Sequence, residues 1–185
     1  MYNEFPYNFI IQGDNMRKAL ITTERLNIYE AVPKEIDGII EIEKHPEIRD
    51  FIWIGTHEEH LSEINDPNHL LLLFFDKDEV KGYALIRLDF KSNIFEIRRI
   101  AITERGNGYG KEAMEGLIDY AFNETNTNRL WLDVYPDNKI GIKLYESLGM
   151  HKDGVLRQNY KADRGYLDQI IYSVLRSEYE ANKGI

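Results

Sequence analysis

The stretch RGNGYGKEAMEG, residues 105–116, contains four glycines and one arginine and runs into a segment with the pattern of a helix. That segment carries one apolar stripe at helical spacing, made of Met114, Leu117, Ile118, Ala121 and Phe122. Residues 93–102, just before the loop, have the pattern of a strand. A strand, a glycine-rich turn and a helix N-terminus together form an anion site, because free N–H groups and the helix dipole point at the ligand.

The spacing within this loop excludes two common phosphate-binding motifs. A P-loop, G-x-x-x-x-G-K-S/T, would put Arg105 at its first glycine and Glu112 where Ser or Thr binds magnesium. A dinucleotide fingerprint, G-x-G-x-x-G, would need a third glycine where Lys111 stands. The pattern that remains is R-x-x-G-x-G, formed by Arg105, Gly108 and Gly110.

Composition and charge limit the class of protein. With 185 residues, of which 43% are apolar, the chain can form one folded domain with a substantial core. Its net charge of -9 would repel the phosphates of nucleic acid, so we expect no nucleic-acid partner. The same balance favours a cationic small molecule. The absence of cysteine excludes disulfides, thiolate metal sites and a thiol nucleophile.

The apolar pattern indicates neither a membrane-spanning segment nor a secretion signal. The longest apolar run, residues 70–75, is far too short to span a bilayer. The N-terminus lacks the basic start and the long apolar stretch of a signal peptide. We therefore expect a cytoplasmic protein that has no membrane partner.

Outward from the loop, strands and helices follow one another without a linker or an internal repeat. Strand patterns fall at residues 19–30, 69–75, 80–90, 93–102, 129–135, 151–162 and 165–175, and helix patterns at 33–45, 57–64 and 138–149. Hairpins in the middle and at the end predict a mixed sheet in an α/β (α+β) fold, with residues 94–135 forming a right-handed parallel crossover. Residues 1–18 do not fit this pattern. The sequence therefore predicts an N-terminal extension, 1–18, and a single domain, 19–180.

Two helix patterns carry residues that bear on function. In 138–149, Asn138 is placed as the N-cap and Gly149 lies just past the end, with a predicted buried stripe made of Ile140, Leu144 and Leu148. In 57–64, His57 and His60 have a spacing that can bind a metal, but no third ligand is placed nearby. A solvated helix face is the preferred interpretation of the two histidines, and we expect no metal.

These motifs together resemble the GNAT superfamily of acetyl-CoA-dependent N-acetyltransferases. The R-x-x-G-x-G loop is similar to its pyrophosphate loop, and the order of elements matches from about residue 20 to residue 175. The spacing of Asn138 and Tyr145 in NKIGIKLYESLGM resembles the N…LYE-x-LGF helix of the family, with Met150 where Phe or Tyr is common. ERLNIYEAV and the last two strands resemble the branch of ribosomal-protein and spermidine N-acetyltransferases, although Tyr29 and Glu30 replace the usual Leu-Arg.

The resemblance implies a GNAT fold and a coenzyme site. The fold is a mixed, mostly antiparallel sheet with helices on both faces, in which a bulge splays a central pair of parallel strands. Main-chain groups of Ile100, Ala101 and Ile102 would pair with the pantetheine arm as a partial added strand does. The pyrophosphate would meet the loop, which begins at Arg105 and continues with the N–H groups of Gly106, Asn107, Gly108, Tyr109, Gly110 and Lys111.

The chemistry implied is acyl transfer from a thioester to an amine, which needs a proton acceptor for the amine and stabilisation of the leaving thiolate. By resemblance, Tyr145 is the acid beside the coenzyme sulfur; a tyrosine packed along the helix is the alternative. Glu96 is the base that activates the amine through water, or else the partner of an arginine on the sheet. Asn138 contacts the coenzyme or only caps its helix. Asp133 and Tyr135 line the acceptor side.

The prediction is an enzyme that moves the acetyl group of acetyl-CoA to a primary amine by direct attack in a ternary complex. The acceptor is a small molecule or a protein N-terminus, and the enzyme is a monomer or a homodimer. A non-catalytic acyl-CoA-binding module is the alternative, which would keep the loop and lose the chemistry. A phosphate- or nucleotide-binding protein is disfavoured by the failed P-loop spacing.

Overall fold

Eight strands form one sheet in the computed structural model of the protein, which describes residues 17–162 and 164–184. The strands are β1 (Ile21–Thr22), β2 (Leu26–Glu30), β3 (His69–Asp76), β4 (Glu79–Asp89), β5 (Ile94–Ile102), β6 (Arg129–Val134), β7 (His151–Ala162) and β8 (Gly165–Leu175). Their order across the sheet is β1-β2-β3-β4-β5-β6-β8-β7. Neighbouring strands are antiparallel except β5 and β6, which are parallel. The predicted mixed sheet is therefore confirmed.

Helices cover both faces of this sheet. After a short 3-10 turn at Pro33–Glu35, the helices are α1 (Ile36–Lys44), α2 (His57–Asn65), α3 (Tyr109–Asn123), α4 (Lys139–Ser147) and α5 (Arg176–Lys183). On one face, Ile39 and Ile42 of α1 pack with alternate residues of β3 and β4. On the other face, the predicted stripe of α3 packs against the sheet together with Tyr179 of α5. The alternation of strand side chains between two apolar layers explains why both faces are covered.

The centre of the sheet is split. Opposite β4, Leu85 pairs with Arg99 and Ile86 pairs with Ile97, so Arg98 is one extra residue in β5, which is a β-bulge. Between β5 and β6, pairing runs only as far as Ile97 opposite Leu132. Beyond that pair the two parallel strands separate toward the glycine loop, as expected for a GNAT fold.

Two elements differ from the sequence prediction. The strand expected at 19–30 is two strands, because Thr23 and Leu26 close a turn with main-chain N···O of 2.9 Å. The carboxylate of Glu112 on α3 stabilises that turn by accepting from the Arg25 N–H at 2.6 Å. Helix α5 was not predicted, since its segment is strongly polar and buries only Tyr179.

The predicted N-terminal extension, 1–18, lies mostly outside the described residues, and its boundary stays a prediction. Arg17 is described and forms an ion pair with Glu35 at 2.9 Å. Of the helices in the described ranges, none has the length and apolar character needed to cross a membrane.

Candidate active site

A cleft of about 520 Å³ opens where β5 and β6 separate. Its walls come from the α1–α2 connection, β5, the glycine loop, β6, α4 and the β7–β8 hairpin. All but two of the predicted site residues line it; the exceptions are Asn107 and Tyr109. A larger groove of about 1050 Å³ between α3 and residues 17–24 holds none of them. The split in the sheet, and not the larger groove, is therefore the candidate site.

The glycine loop has the backbone that an anion cradle needs. Gly106 and Gly108 have φ values of +83° and +82°, a left-handed conformation that residues with a Cβ adopt at a cost. Gly108 is the residue directly before α3, so the N–H groups of the first helical turn have no intrahelical acceptor. Gly110 and Lys111 line the cleft at that helix end. The loop thus presents main-chain donors and the positive end of a helix dipole to the cleft.

Side chains of the loop have other partners. Arg105 donates to the main-chain oxygen of Glu47, and its Nε lies 3.6 Å from Glu47 Oε2. The hydroxyl of Tyr109 donates to Asp76 at 2.6 Å, beneath the guanidinium of Arg25. The side-chain amide of Asn107 donates to the carboxylate of Glu104 at 3.2 Å. Any contribution of Asn107 and Tyr109 to ligand binding is therefore limited to their main chains.

Tyr145 is the buried residue of α4, with 6% of its surface exposed at the edge of the cleft. No residue in the described ranges hydrogen-bonds to its hydroxyl, while its ring lies 6.0 Å from that of Tyr172. Burial, and then the negative charge of Asp133, raise the pKa of Tyr145 well above its usual value. The hydroxyl therefore stays protonated and is free to donate a hydrogen bond into the cleft.

The rest of α4 corrects one prediction. Ile140 is 63% exposed, so the predicted buried stripe is wrong at that position. Leu144 and Leu148 are half-buried and pack against the core. Ile140 and Leu144 also line the cleft, because α4 lies beside the gap between β5 and β6. The predicted cap is confirmed, since Asn138 Oδ1 accepts from the Gly141 N–H at 2.9 Å. Asn138 also lines the cleft, and a contact with the coenzyme stays a prediction.

Glu96 points into the same cleft from β5 and is 7% exposed. Arg87 Nη2 lies 2.6 Å from its Oε2, and Arg98 Nη1 lies 3.9 Å from its Oε1. The short contact with Arg87 is an ion pair without hydrogen-bond geometry, because Oε2 is buried and has no hydrogen-bond partner among the described residues. The arginine pairing expected as one alternative for Glu96 is therefore present.

Asp133 of β6 and Tyr135, the residue directly after that strand, both line the cleft, and their place on the acceptor side stays a prediction. The amide of Gln169 on β8 donates to Asp133 Oδ2. Burial, and then the charge of Glu96, raise the pKa of Asp133. The ring of Tyr135 lies 5.8 Å from that of Tyr160 on β7. Gln169 and Tyr160 were not predicted, because the irregular register of the β7–β8 hairpin decides which of its residues reach the cleft.

A buried charge network lies behind the cleft. The carboxylate of Glu43 on α1, which is fully buried, accepts from Tyr83 at 2.6 Å and from Arg99 at 3.2 Å, and His60 Nε2 lies 3.2 Å away. Glu63 contacts the other imidazole nitrogen at 2.8 Å and Arg99 at 3.1 Å. The predicted solvated face for His60 is therefore wrong, because His60 is 0% exposed between two carboxylates.

This network holds the α1–α2 connection against the bulged strand. Glu43 also accepts from the Gly55 N–H at 2.7 Å, and a Cβ at position 55 would lie 2.6 Å from His60 Nε2. Arg99 lies 5.7 Å from the ring of Trp53, which is part of the cleft wall. Within the described ranges, no group of three or more acidic or histidine side chains is arranged to hold a metal. The network therefore positions a wall of the cleft and has charge balance without a metal.

Comparisons with known proteins agree with this architecture. A family model described as the acetyltransferase (GNAT) family matches residues 34–150. The uncharacterized N-acetyltransferase p20 of Bacillus licheniformis is 30% identical over 171 residues, which cover 85% of this chain and 96% of that protein.

Two solved structures share the fold. A GNAT-family acetyltransferase from Bacillus anthracis has a TM-score of 0.71 at 20% identity, covering 85% of this chain and 99% of that chain. The spermidine N-acetyltransferase of Vibrio cholerae, solved in complex with CoA and spermine, has a TM-score of 0.74 at 19% identity, covering 84% and 98%. At these identities the structural likeness shows the fold alone.

Proposed function

Because the chain belongs to the acetyltransferase (GNAT) family and is an acetyl-CoA-dependent N-acetyltransferase, we propose that its β5–β6 cleft is where the acetyl group passes to a primary amine. The observation that carries this proposal is the end of parallel pairing at Ile97 and Leu132, directly below the glycine loop. It brings a free strand edge and an anion cradle to one cleft. Transfer would occur by direct attack in a ternary complex.

The chain offers acetyl-CoA two kinds of main-chain contact. On the side of β5 that faces β6, the segment from Ile100 to Ile102 has no strand partner among the described residues, so its main chain is available to a pantetheine arm. The N–H groups from Gly106 to Lys111 are available to a pyrophosphate, with Arg105 able to turn from Glu47 toward it. When bound, acetyl-CoA supplies the thioester whose acetyl group is transferred.

Tyr145 is the proposed donor to the leaving sulfur. A thiol has an ordinary pKa of about 8.5, and Tyr145 has a pKa raised well above its usual value, so complete proton transfer from tyrosine to thiolate is uphill. We therefore assign to Tyr145 the stabilisation of the leaving thiolate by a hydrogen bond as the C–S bond breaks. A donor that is already positioned where negative charge develops is effective in this role.

The acceptor end of the cleft suits a cationic amine. Asp133 gives it a negative charge that no described residue balances in an ion pair, and the ring of Tyr160 adds a face that attracts a cation. We propose that the acceptor is a primary amine of a small molecule or of a protein N-terminus, protonated when it arrives. Glu96 is the base predicted from the sequence.

Two further parts of the proposal concern setting and assembly. Use of acetyl-CoA, a metabolite of the cell interior, supports a cytoplasmic enzyme. The enzyme is proposed to act as a monomer or a homodimer.

Calorimetric titration with acetyl-CoA, with ATP as control, tests the coenzyme site first. We expect micromolar binding of acetyl-CoA and none of ATP. Release of the CoA thiol is then followed in the presence of polyamines, amino acids, aminoglycosides and short peptides with free N-termini. Binding of acetyl-CoA without transfer to any of these amines would instead favour the acyl-CoA-binding module, and binding of ATP alone would contradict the proposal.

A further inference from the structure

Two carboxylates face the cleft from neighbouring parallel strands. Glu96 lies one residue before the last β5–β6 pair, Ile97 opposite Leu132, and Asp133 lies one residue after it. Both side chains therefore stand on the same face of the sheet, at the point where the strands separate. Each is placed to meet an amine that enters from the acceptor end.

Their partners differ in charge. Glu96 has guanidinium groups near both oxygens, from Arg87 at 2.6 Å and Arg98 at 3.9 Å. Asp133 has no ion-pair partner within the described ranges. Its hydrogen bond comes from the neutral amide of Gln169. The charge of Glu96 is thus already balanced by the protein, while the charge of Asp133 is not.

The hydrogen bond to Asp133 also leaves one oxygen available. Gln169 donates to Oδ2, and Gln169 is itself held by Asn159, whose Nδ2 donates to its Oε1 at 2.6 Å. No described residue hydrogen-bonds to Asp133 Oδ1, although Asp133 lines the cleft. The chain of two amides orients the carboxylate through Oδ2 and leaves Oδ1, on a residue that lines the cleft, as an acceptor without a partner among the described residues.

We propose that Asp133, through Oδ1, is the carboxylate that accepts the proton of the substrate amine, and that Glu96 is a positioning residue. This inference rests on the proposed function. Asp133 takes one proton from the bound ammonium, directly or through one water, and leaves a neutral amine. As the N–C bond forms and the C–S bond breaks, a second nitrogen proton passes to the thiolate sulfur, to which Tyr145 donates. Asp133 then releases its proton to solvent, which balances the reaction.

The electrostatic surroundings of Asp133 agree with this role. The titratable and charged groups that face it are Glu96 and Arg98 on β5, Tyr145 on α4 and Tyr135 directly after β6. Burial is the main cause that raises the pKa of Asp133, and it outweighs the hydrogen bond from Gln169, which lowers it. The charge of Glu96 raises this pKa further, and Arg98 opposes it to a smaller extent. A raised pKa narrows the gap to an amine with a pKa of about 10 and makes proton transfer more favourable.

The test compares Asp133→Asn with Glu96→Gln across pH, using the amine from the panel that is acetylated fastest. Asp133→Asn should lower kcat about 100-fold or more, keep the affinity for acetyl-CoA, and remove the fall of kcat/KM at acid pH. Glu96→Gln should lower kcat about 10-fold or less and move that fall to lower pH, because the charge that raises the pKa of Asp133 is gone. Asp78→Asn, an exposed change in the β3–β4 turn, is the matched control.

A second readout does not depend on turnover. The carboxyl carbon of Asp133 is followed by NMR across pH, and it should titrate above the usual value of about 3.9 and move down in Glu96→Gln. If the fall of kcat/KM at acid pH disappears in Glu96→Gln and remains in Asp133→Asn, the base is Glu96 and the inference is overturned. Titration of Asp133 at or below its usual value would overturn it as well. If the wild type acetylates no amine, the proposed function fails, and this titration still decides whether Asp133 has the basicity required.

Discussion

Glu43 and His60 are both fully buried, and the imidazole Nε2 lies 3.2 Å from the carboxylate of Glu43. Burial alone would lower the pKa of His60, but hydrogen bonds to Glu43 and Glu63 outweigh it and raise the pKa to about 9. His60 is therefore charged at neutral pH. The charges of His60 and Arg99 balance those of Glu43 and Glu63, so the buried charge network is neutral overall.

This pairing predicts a loss of stability on the alkaline side. The unfolded chain has a histidine pKa of 6.5 and the folded chain about 9, so the contribution is complete below pH 6.5 and is lost as pH rises to about 9. The loss should be on the order of 3 kcal/mol in the free energy of unfolding. Urea denaturation at several pH values measures it. His60→Gln should lack this dependence, whereas His57→Gln, an exposed histidine on the same helix, should keep it.

Tyr145→Phe should lower kcat about 10- to 100-fold and leave the affinity for acetyl-CoA unchanged, because only the donor to the leaving sulfur is removed. Tyr172→Phe is the matched control. Its ring is the neighbour of Tyr145, but its hydroxyl donates to Glu146 at 3.0 Å, so its loss should reduce stability and spare kcat. Equal turnover of Tyr145→Phe and wild type would remove Tyr145 from the chemistry.

Gly108→Val should weaken acetyl-CoA binding at least about 10-fold, because a branched side chain beside the helix N-terminus obstructs the approach of a phosphate. Gly149→Val controls for backbone strain, since Gly149 has a φ of +73° and lies outside the cleft. Both variants should lose similar stability, about 1 kcal/mol or more. Calorimetric titration of the two separates obstruction from strain. Equal affinity of both for acetyl-CoA would contradict a pyrophosphate site at the loop.

Glu47→Gln should tighten acetyl-CoA binding severalfold at low salt. The change removes the carboxylate 3.6 Å from Arg105 Nε, so the hydrogen bond to the main-chain oxygen of residue 47 remains but no ion pair at that position competes with the pyrophosphate for the guanidinium. The gain should shrink as salt is raised, because both groups are largely exposed to solvent. Glu41→Gln, which removes the exposed pair with Lys44, should change nothing. Weaker binding by Glu47→Gln would mean that Glu47 orients Arg105 and does not compete for it.

Patterns along the sequence predicted those strands and helices whose apolar residues follow a regular spacing. Alternation gave the long strands, and the glycine loop followed by an apolar stripe gave β5, α3 and the parallel crossover. The stripe of α4 was wrong at Ile140, because helical spacing shows which residues share a face and not whether a sheet or a cleft lies opposite each of them. Burial of His60 was missed for a related reason. Its partners come from α1 and from the same helix, and separations such as that between Glu43 and His60 leave no periodic trace in the sequence.

For the candidate site, the sequence predicted the main-chain features but not the side chains that come from other strands. Main-chain features such as the splay, the cap at Asn138 and the loop conformation followed from spacing and resemblance. Residues that reach the site from strands distant in sequence could not be predicted in this way, and Gln169 is the clearest case. It reaches Asp133 because β8 lies between β6 and β7, an order that hairpin patterns along the chain do not specify.

The end of pairing between β5 and β6, at Ile97 and Leu132, also limits the shape of a ligand that can enter the sheet. Unpaired strand edges at a rim invite whole strands from other chains, with the risk of aggregation. In this protein the unpaired edges belong to β5 and β6, inside the sheet. The gap between them is closed where the two strands still pair and opens toward the glycine loop. We expect this gap to accept a narrow chain that enters from the loop end, such as a pantetheine arm, so the fold selects its ligand by cross-section before any side chain contributes.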